Sequence, residues 1–264
     1  MNLSLSGKRA LVCGSTQGIG RACAVELANL GASITLMARD EARLHEVAAA
    51  LPPPATTGQK HLTLVADFTQ PEQVRRAVHS AINPFDPILI VVNNTGGPAA
   101  GQAIDAAPEA FLAAFNAHVI NNQLIAQATV PAMKTAGYGR IINIISTSVK
   151  QPIPNLGVSN TIRAAVASWA KTLSAELGSF GITVNNVLPG YTKTERLTSL
   201  VKGRAAKQAT SEDAISRELI SSIPAGRFGE AEEIAAAVAF LASPAAAYIN
   251  GINLPVDGGR LGSL

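Results

Sequence analysis

Short apolar runs alternate with amphipathic stretches along most of the chain. The apolar runs cover residues 10–13, 33–38, 62–65, 88–92, 140–145 and 183–188. Helical periodicity marks residues 18–30, 41–51, 71–82, 108–133 and 156–177. In the first of these, Ile19, Cys23 and Leu27 recur every four residues, and Gly31 ends the helix. Runs apolar on both faces are typical of parallel strands covered by helices. The alternation predicts a single-domain α/β, doubly wound Rossmann fold over residues 1–264.

One polar segment interrupts this alternation. Residues 196–222 are rich in charged and hydroxyl side chains, and we expect one or two helices there, lying over the carboxyl edge of the sheet. The proline-rich residues 51–58 are too few for an interdomain linker and predict a surface loop.

Composition narrows the possible classes of protein. The chain has 264 residues, 47% hydrophobic and 15% charged, which is typical of a compact globular protein. Its net charge is only +3, without a basic stripe, so nucleic acid is not an expected partner. No signal-like segment or membrane-length apolar run is present, and we expect a soluble, cytoplasmic protein with no membrane contact. No metal site is expected.

The two cysteines, Cys13 and Cys23, fall on a predicted strand and on the apolar face of the next helix. We interpret them as small core residues in a reducing compartment. A catalytic thiol is the alternative, but neither position offers an activating base.

A glycine-rich loop lies between the first strand and the first helix. It reads Cys13-Gly14-Ser15-Thr16-Gln17-Gly18-Ile19-Gly20. Gly14 would permit a tight turn, while Gly18 and Gly20 would let a pyrophosphate approach N–H groups at the helix N-terminus. A purely structural turn is the alternative, but the strand–loop–helix context predicts that residues 14–20 bind a dinucleotide.

These residues and four further motifs resemble the short-chain dehydrogenase/reductase family, near its 3-oxoacyl-carrier-protein-reductase-like branch. The resemblance covers nearly the whole chain, with Cys13 and Thr95 replacing the usual threonine and alanine. The further motifs are Asn93-Asn94-Thr95-Gly96, Pro189-Gly190-Tyr191-Thr192-Lys193-Thr194, and residues 224–229 and 256–259. The resemblance implies a seven-stranded parallel sheet, and a homotetramer or homodimer paired through the helices at 108–133 and 156–177.

The resemblance also implies the remaining cofactor contacts. Asp67 and Phe68 would lie against the adenine, and Asn94 near the adenosine ribose. The segment at the nicotinamide end would contribute Pro189, Gly190, Thr192 and Thr194, with Gly96 close by and Arg163 holding the ribose.

The end of the second strand bears on cofactor choice. An acid there would favour NAD, but the chain has Ala38 followed by Arg39, whose guanidinium suits the 2′-phosphate of NADP. We therefore expect NADP. NAD stays possible because Gln17 is not basic and Asp40 is adjacent. Arg39 and Asp40 could also simply start the next helix, with Asp40 as its N-cap.

The catalytic positions implied by the resemblance are altered. Ser146 matches the family's serine, but Ser159 stands at its tyrosine, Arg163 at its lysine and His118 at its asparagine. An alkyl hydroxyl is a far weaker acid than a phenol, and a guanidinium stays protonated. We hypothesise that Ser146 and Ser159 hold a substrate oxygen, Arg163 supplies positive charge and His118 handles the proton, through water.

Other side chains could take part. His118 could instead be a structural polar residue of a long helix. Lys150, Tyr191 and Lys193 could line the mouth of the site, with Tyr191 as a substitute acid or, in the interpretation we favour, as wall packing.

The leading functional prediction is an NADP-dependent oxidoreductase of the short-chain dehydrogenase/reductase type, acting on a small carbonyl or alcohol. The alternatives are a catalytically silent NADP-binding protein, either a sensor or a partner subunit, and a lyase or isomerase on the same scaffold.

Overall fold

A seven-stranded parallel sheet runs through residues 1–263, the part of the chain that the computed structural model describes. Its strands are β1 (Arg9–Cys13), β2 (Ser33–Ala38), β3 (Leu62–Val65), β4 (Ile88–Asn93), β5 (Gly139–Ile144), β6 (Ile182–Pro189) and β7 (Asn253–Val256). Their order is β3-β2-β1-β4-β5-β6-β7, so the winding reverses between β1 and β4. The predicted doubly wound α/β fold is confirmed. The strand β7 lies outside the apolar runs of the sequence, because it is short, half-buried and contains Pro255.

Helices cover both faces of this sheet. They are α1 (Gly18–Asn29), α2 (Glu41–Ala50), α3 (Pro71–Ser80), α4 (Pro108–Phe115), α5 (Asn121–Ala136), α6 (Gly157–Leu177), α7 (Glu195–Gln208), α8 (Glu212–Ser221) and α9 (Ala231–Ala242). The polar segment holds α7 and α8, as predicted. Thr194 and Ser211 begin these two helices by accepting hydrogen bonds from the amides three residues ahead.

The core is divided into two apolar layers by the sheet. Side chains alternate along β1, so Ala10 and Val12 join the layer under α1 and α9, while Leu11 and Cys13 join the layer under α3, α5 and α6. Cys13 and Cys23 are both free and buried, and burial raises the pKa of each thiol to about 12. The interpretation of both as inert core residues is confirmed. Within residues 1–263, helices lack the combined length and apolarity needed to span a membrane.

The helix predicted over residues 108–133 is interrupted in the structure. A π-helical turn, Asn116–Ile120, joins α4 to α5, and α5 continues to Ala136. A π-helical turn widens the helix locally and is frequent at functional sites. Asn121 Nδ2 follows the turn and donates hydrogen bonds to the carbonyl oxygens of Phe68 at 2.7 Å and Ala117 at 3.3 Å. Apolar periodicity did not reveal this change of pitch, which places His118 inside the turn.

Candidate functional site

A cavity of about 630 Å³ lies along the carboxyl edge of the sheet. Its wall is built by residues that follow β1 to β6, together with the N-terminal parts of α6 and α7 and with Arg260. It spans the point between β1 and β4 where the winding direction reverses, the usual ligand position in an open α/β sheet.

The glycine-rich loop is packed tightly against β4. Gly14 and Gly18 have φ of 59° and 51°, a conformation that favours glycine. A Cβ on Gly14 would lie 2.7 Å from the carbonyl oxygen of Asn94, and one on Gly20 would lie 2.1 Å from the carbonyl oxygen of Gly14. Asn94 Nδ2 donates to the carbonyl oxygens of Cys13 and Gly14, at 3.2 and 3.3 Å. These contacts fix the loop at the opening of α1.

Most of the residues that the sequence assigned to a cofactor lie on the cavity wall. These are Gly14, Thr16, Gln17, Gly18, Ile19, Arg39, Asp67, Phe68, Asn94, Gly96, Arg163, Pro189, Gly190, Thr192 and Thr194. Ser15 and Gly20 lie behind the wall instead. Ser15 is fully buried and donates to the carbonyl oxygen of Met37 at 3.4 Å, and Gly20 packs on Gly14. Both residues pack in the loop, and a cofactor contact at either one stays a prediction.

One end of the cavity carries two guanidinium groups. Arg39 and Arg43 both line it, beside Asp40 and Gln17. Arg43 Nη1 donates to Gln17 Oε1 at 3.0 Å, so this arginine brings a second cation to a position where Gln17 itself offers none. The carboxylate of Asp40 caps α2 by accepting from the Arg43 amide at 3.0 Å and lies 3.6 Å from Arg43 Nε. Sequence reasoning missed Arg43, although its place three residues after a predicted cap was a usable signal.

The loop after β3 is held in shape by its own hydrogen bonds. Asp67 Oδ1 accepts from the Thr69 amide at 2.9 Å, and the Asp67 amide donates to Gln73 Oε1 at 3.1 Å. The bonds from Thr69 hold the pKa of Asp67 below its ordinary value, with a smaller effect from Arg39. Asp67 and Phe68 are therefore fixed at the same end of the cavity as Arg39.

The other end of the cavity gathers Ser146, Ser159 and Arg163. Ser146 follows β5, and its Oγ accepts a hydrogen bond from the Ser148 amide at 3.1 Å. Ser159 and Arg163 lie one turn apart on α6, both buried. Arg163 Nη1 donates to the Ile144 carbonyl oxygen at 2.8 Å. Burial, with a smaller effect from Arg196, lowers the pKa of Arg163 to about 10, so the guanidinium stays charged at neutral pH.

His118 is not on the wall of this cavity. It is 3% exposed and lines a smaller cavity behind the wall, together with Asn93, Asn122 and Arg163. Burial lowers the pKa of His118 to about 3, with a smaller contribution from Arg163 and against a hydrogen bond with the Gly96 backbone. Its Nε2 finds no hydrogen-bond partner among the described residues. A proton-carrying role for His118 stays a prediction, and this neutral, recessed position disfavours it.

Tyr191 is the phenol that lines the main cavity near β6. Its ring packs edge-on against Phe228 with centroids 6.4 Å apart, and the Arg260 guanidinium lies 4.5 Å from its centroid. Tyr191 thus packs in the wall, and its hydroxyl accepts a hydrogen bond from Arg260 Nη2 at 3.4 Å. Lys150 and Lys193 are not wall residues, and Lys193 Nζ pairs with Glu230 Oε1 at 2.5 Å.

A row of asparagines supports the catalytic end from inside the sheet. Asn93, Asn143, Asn186 and Asn253 are register partners on β4, β5, β6 and β7. Each Nδ2 donates to the Oδ1 of the next asparagine at 2.8 Å. The row ties four strands together directly beneath the loops that carry Ser146 and Gly190, and no single stretch of sequence reveals it.

The glycine-rich loop at the switch point of a doubly wound sheet defines a Rossmann-type protein with a dinucleotide-sized cavity. The chain belongs to the short-chain dehydrogenase/reductase family, and a sequence model of that family, described as enoyl-(acyl carrier protein) reductase, matches residues 14–260.

Known proteins resemble the chain over its full length. It is 35% identical to the 3-oxoacyl-[acyl-carrier-protein] reductase FabG of Haemophilus influenzae, over 97% of this chain and 98% of that protein. The L-sorbose reductase of Gluconobacter frateurii, complexed with NADPH and L-sorbose, is 32% identical with a TM-score of 0.91, covering 100% of both chains. A gluconate 5-dehydrogenase from Burkholderia cenocepacia, in complex with NADP and tartrate, is 30% identical with a TM-score of 0.85, covering 100% of this chain and 98% of that one.

Proposed function

We propose that this protein is an NADP-dependent oxidoreductase acting on a small carbonyl or alcohol. One observation carries the proposal: a single cavity joins the Arg39–Arg43 pair at one end to Ser146, Ser159 and Arg163 at the other. Its length along the strand ends suits a dinucleotide whose nicotinamide reaches the serines. The relatives solved with NADPH and with NADP support the same cofactor.

Two different sets of hydrogen-bond donors would hold the phosphates of the cofactor. Amides of the glycine-rich loop at the start of α1 suit the pyrophosphate. Arg39 and Arg43 suit the 2′-phosphate through charge-assisted hydrogen bonds. With the carboxylate of Asp40 committed to its cap and to Arg43, the acid next to Arg39 is a weaker competitor for a ribose hydroxyl. When bound, the nicotinamide supplies hydride transfer.

At the catalytic end, this chain's residues would bind and polarise the substrate oxygen. The hydroxyls of Ser146 and Ser159 are positioned to donate to it. The buried guanidinium of Arg163 adds positive charge where negative charge develops, an effect that is strong in a site of low dielectric constant. Arg163 cannot exchange its proton at neutral pH, so the proton reaches the site through solvent or the hydroxyl of Tyr191.

A Ser146→Ala variant tests this proposal. We expect NADPH oxidation with a panel of small ketones and aldehydes, and we expect kcat/KM to fall about 100- to 1,000-fold in the variant because one donor to the oxyanion is lost. Thr161→Ala, on the exposed side of α6, is the matched control and should keep wild-type turnover. Turnover that is the same in Ser146→Ala as in wild type would contradict the assignment.

A second candidate function is NADP binding without turnover. It is favoured by the hydroxyl of Ser159 and the guanidinium of Arg163, which leave α6 without a titratable pair. The double variant Ser159→Tyr with Arg163→Lys separates the two. Carbonyl reduction found only in the double variant would identify the wild-type protein as a silent nucleotide binder. Reduction by the wild type excludes that reading.

A further inference from the structure

Three guanidinium groups approach the catalytic end of the cavity from distant parts of the chain. Arg163 belongs to α6, Arg196 to the first turn of α7, and Arg260 follows β7, and all three line the wall. Arg196 is close enough to Arg163 to lower the pKa of the Arg163 guanidinium. Arg260 lies over the ring of Tyr191, the residue after Gly190.

Within residues 1–263, these three arginines donate hydrogen bonds only to uncharged acceptors. Arg196 donates to the carbonyl oxygens of Gly97 at 3.1 Å and Pro98 at 3.3 Å. Arg260 Nη2 lies 3.4 Å from the Tyr191 hydroxyl, and its buried Nε has no hydrogen-bond partner within residues 1–263. The ion pairs found in the described part of the chain include none of the three.

Some arginines elsewhere in the molecule pair with carboxylates, whereas the buried Arg140 donates only to backbone carbonyl oxygens within the described residues. Arg9 pairs with Asp86, although Arg9 is as buried as Arg163. Arg227 on the surface pairs with Glu233 at 2.6 Å. At the cavity, Glu195 lies on the same wall as Arg196 but forms no ion pair with it. Arg140 does not line the cavity, whereas Arg163, Arg196 and Arg260 do, so a ligand in the cavity could reach these three.

Uncompensated buried charge is unfavourable, and two neighbouring cations repel each other. Arg163 is buried, Arg260 is half-buried and Arg196 is exposed, although the surrounding protein lowers the pKa of the Arg196 guanidinium. An anion bound among these guanidiniums would offset their repulsion through charge-assisted, bidentate hydrogen bonds. The site is thus preorganised for a negative group.

The phosphates of the cofactor have other partners in the cavity. Its 2′-phosphate is matched by Arg39 and Arg43 at the opposite end, and its pyrophosphate by the amides of the glycine-rich loop. An anionic group that binds to Arg196 and Arg260 would then belong to the substrate.

We propose that the substrate carries a carboxylate or phosphate close to its carbonyl or alcohol carbon, and that Arg196 and Arg260 bind this anionic group. The inference rests on the proposed oxidoreductase function and names the substrate class of the same site. Arg196 and Arg260 are then specificity-determining residues, while Ser146 and Ser159 donate hydrogen bonds to the reacting oxygen.

Matched substrate pairs test the inference on the full-length protein with saturating NADPH. The carboxylate pair is acetoacetate and methyl acetoacetate, and the phosphate pair is dihydroxyacetone phosphate and dihydroxyacetone. We expect the charged member of at least one pair to be preferred in kcat/KM. Arg196→Met and Arg260→Met should each reduce that preference about 10- to 100-fold, the range for a charge-assisted hydrogen bond. Arg204→Met is the control, because Arg204 also belongs to α7 but its Nη1 lies 3.9 Å from Glu218 Oε1. This variant should retain the preference for the charged substrate.

The possible results separate this inference from the proposed function. Equal or faster turnover of the uncharged members by the wild type overturns the inference and leaves the oxidoreductase intact. A weaker affinity for NADPH in Arg196→Met with an unchanged charged-to-uncharged ratio also overturns it, because Arg196 then serves the pyrophosphate. If no panel member reacts, malonate is titrated into the NADP⁺-loaded protein. Saturable binding that is lost in Arg196→Met supports the inference, and no binding overturns it. Failure to bind NADPH at all overturns the proposed function, and the inference with it.

Discussion

His118 and Arg163 share the buried space behind the main cavity, yet they differ in charge at neutral pH. Burial and the neighbouring guanidinium favour neutral imidazole, with a pKa of about 3. The guanidinium, with a pKa of about 10, stays charged. The two side chains are thus one fixed charge and one neutral ring, and neither titrates near neutral pH. Proton supply then passes to solvent or to Tyr191.

The depressed pKa of His118 predicts a loss of stability in acid. Below pH 6.5 the unfolded chain takes up a proton on this residue that the folded protein does not, until the pH approaches 3. The free energy of unfolding should therefore fall by roughly 2–3 kcal/mol between pH 7 and pH 4.5 through this residue alone. His118→Gln should remove that part of the slope.

Urea unfolding of wild type and His118→Gln across this range is the measurement. The difference between their unfolding free energies, not either value alone, isolates His118 from the carboxylates. If the unfolding free energies of wild type and His118→Gln fall in parallel with pH, His118 becomes protonated in the folded protein and water reaches its position.

At the scale of secondary structure elements, the asparagine row connects β4 to β7 with side-chain bonds in addition to the backbone ladder. Each inner asparagine is both donor and acceptor, so the loss of one member leaves two buried neighbours unpaired. Asn143 is such a member, bonded to Asn93 and to Asn186. Asn253 ends the row and bonds only to Asn186.

Asn143→Leu should destabilise the protein by about 2–5 kcal/mol, because Asn93 Nδ2 and Asn186 Oδ1 lose their partners in the interior. Asn253→Leu is the matched control. The substituted position is half-buried and only Asn186 Nδ2 loses its partner, so the loss of stability should be less than half as large. Urea unfolding midpoints measure both. Similar losses of stability in the two variants would contradict the idea that each broken hydrogen bond of the row adds to the loss, and would point to local repacking.

At the scale of the whole molecule, the cavity joins segments from residue 14 to residue 260. A dinucleotide filling it would contact the loops after β1 to β6 at once, so binding should stabilise the folded state globally. Ligand at 100 times its Kd contributes about 2.7 kcal/mol. The contribution from NADPH and that from NADH should differ through Arg39 and Arg43.

Arg43→Met therefore should reduce the thermal stabilisation given by NADPH and leave that given by NADH close to its wild-type value. The physical reason is the loss of one charge-assisted contact to the 2′-phosphate, worth about 1.5–3 kcal/mol. Arg75→Met is the control, because Arg75 pairs only with Glu72 on the surface of α3. Equal loss of stabilisation by both cofactors would show that Arg43 supports the loop through Gln17 instead.

Features of the site that depend on neighbouring residues could be predicted from the sequence, whereas features that depend on contacts between distant residues could not. The glycine-rich loop, the N-cap role of Asp40 and the positions of Ser146, Ser159 and Arg163 follow from local pattern and family motifs. The recessed place of His118 does not, because a π-helical turn moves it and has no apolar period of its own. Arg43 was overlooked because its contact with Gln17 joins residues separated by α1 and β2.

The sequence by itself determined the doubly wound sheet, the glycine-rich loop and the altered catalytic positions, because alternation of apolar runs, glycine at a turn and residue identity are local properties. Tertiary structure alone decided which polar groups meet. The asparagine row depends on strand register, and Arg163, Arg196 and Arg260 line one cavity only because α6, α7 and the segment after β7 converge there. Burial, which no single stretch of residues encodes, sets the charge of His118.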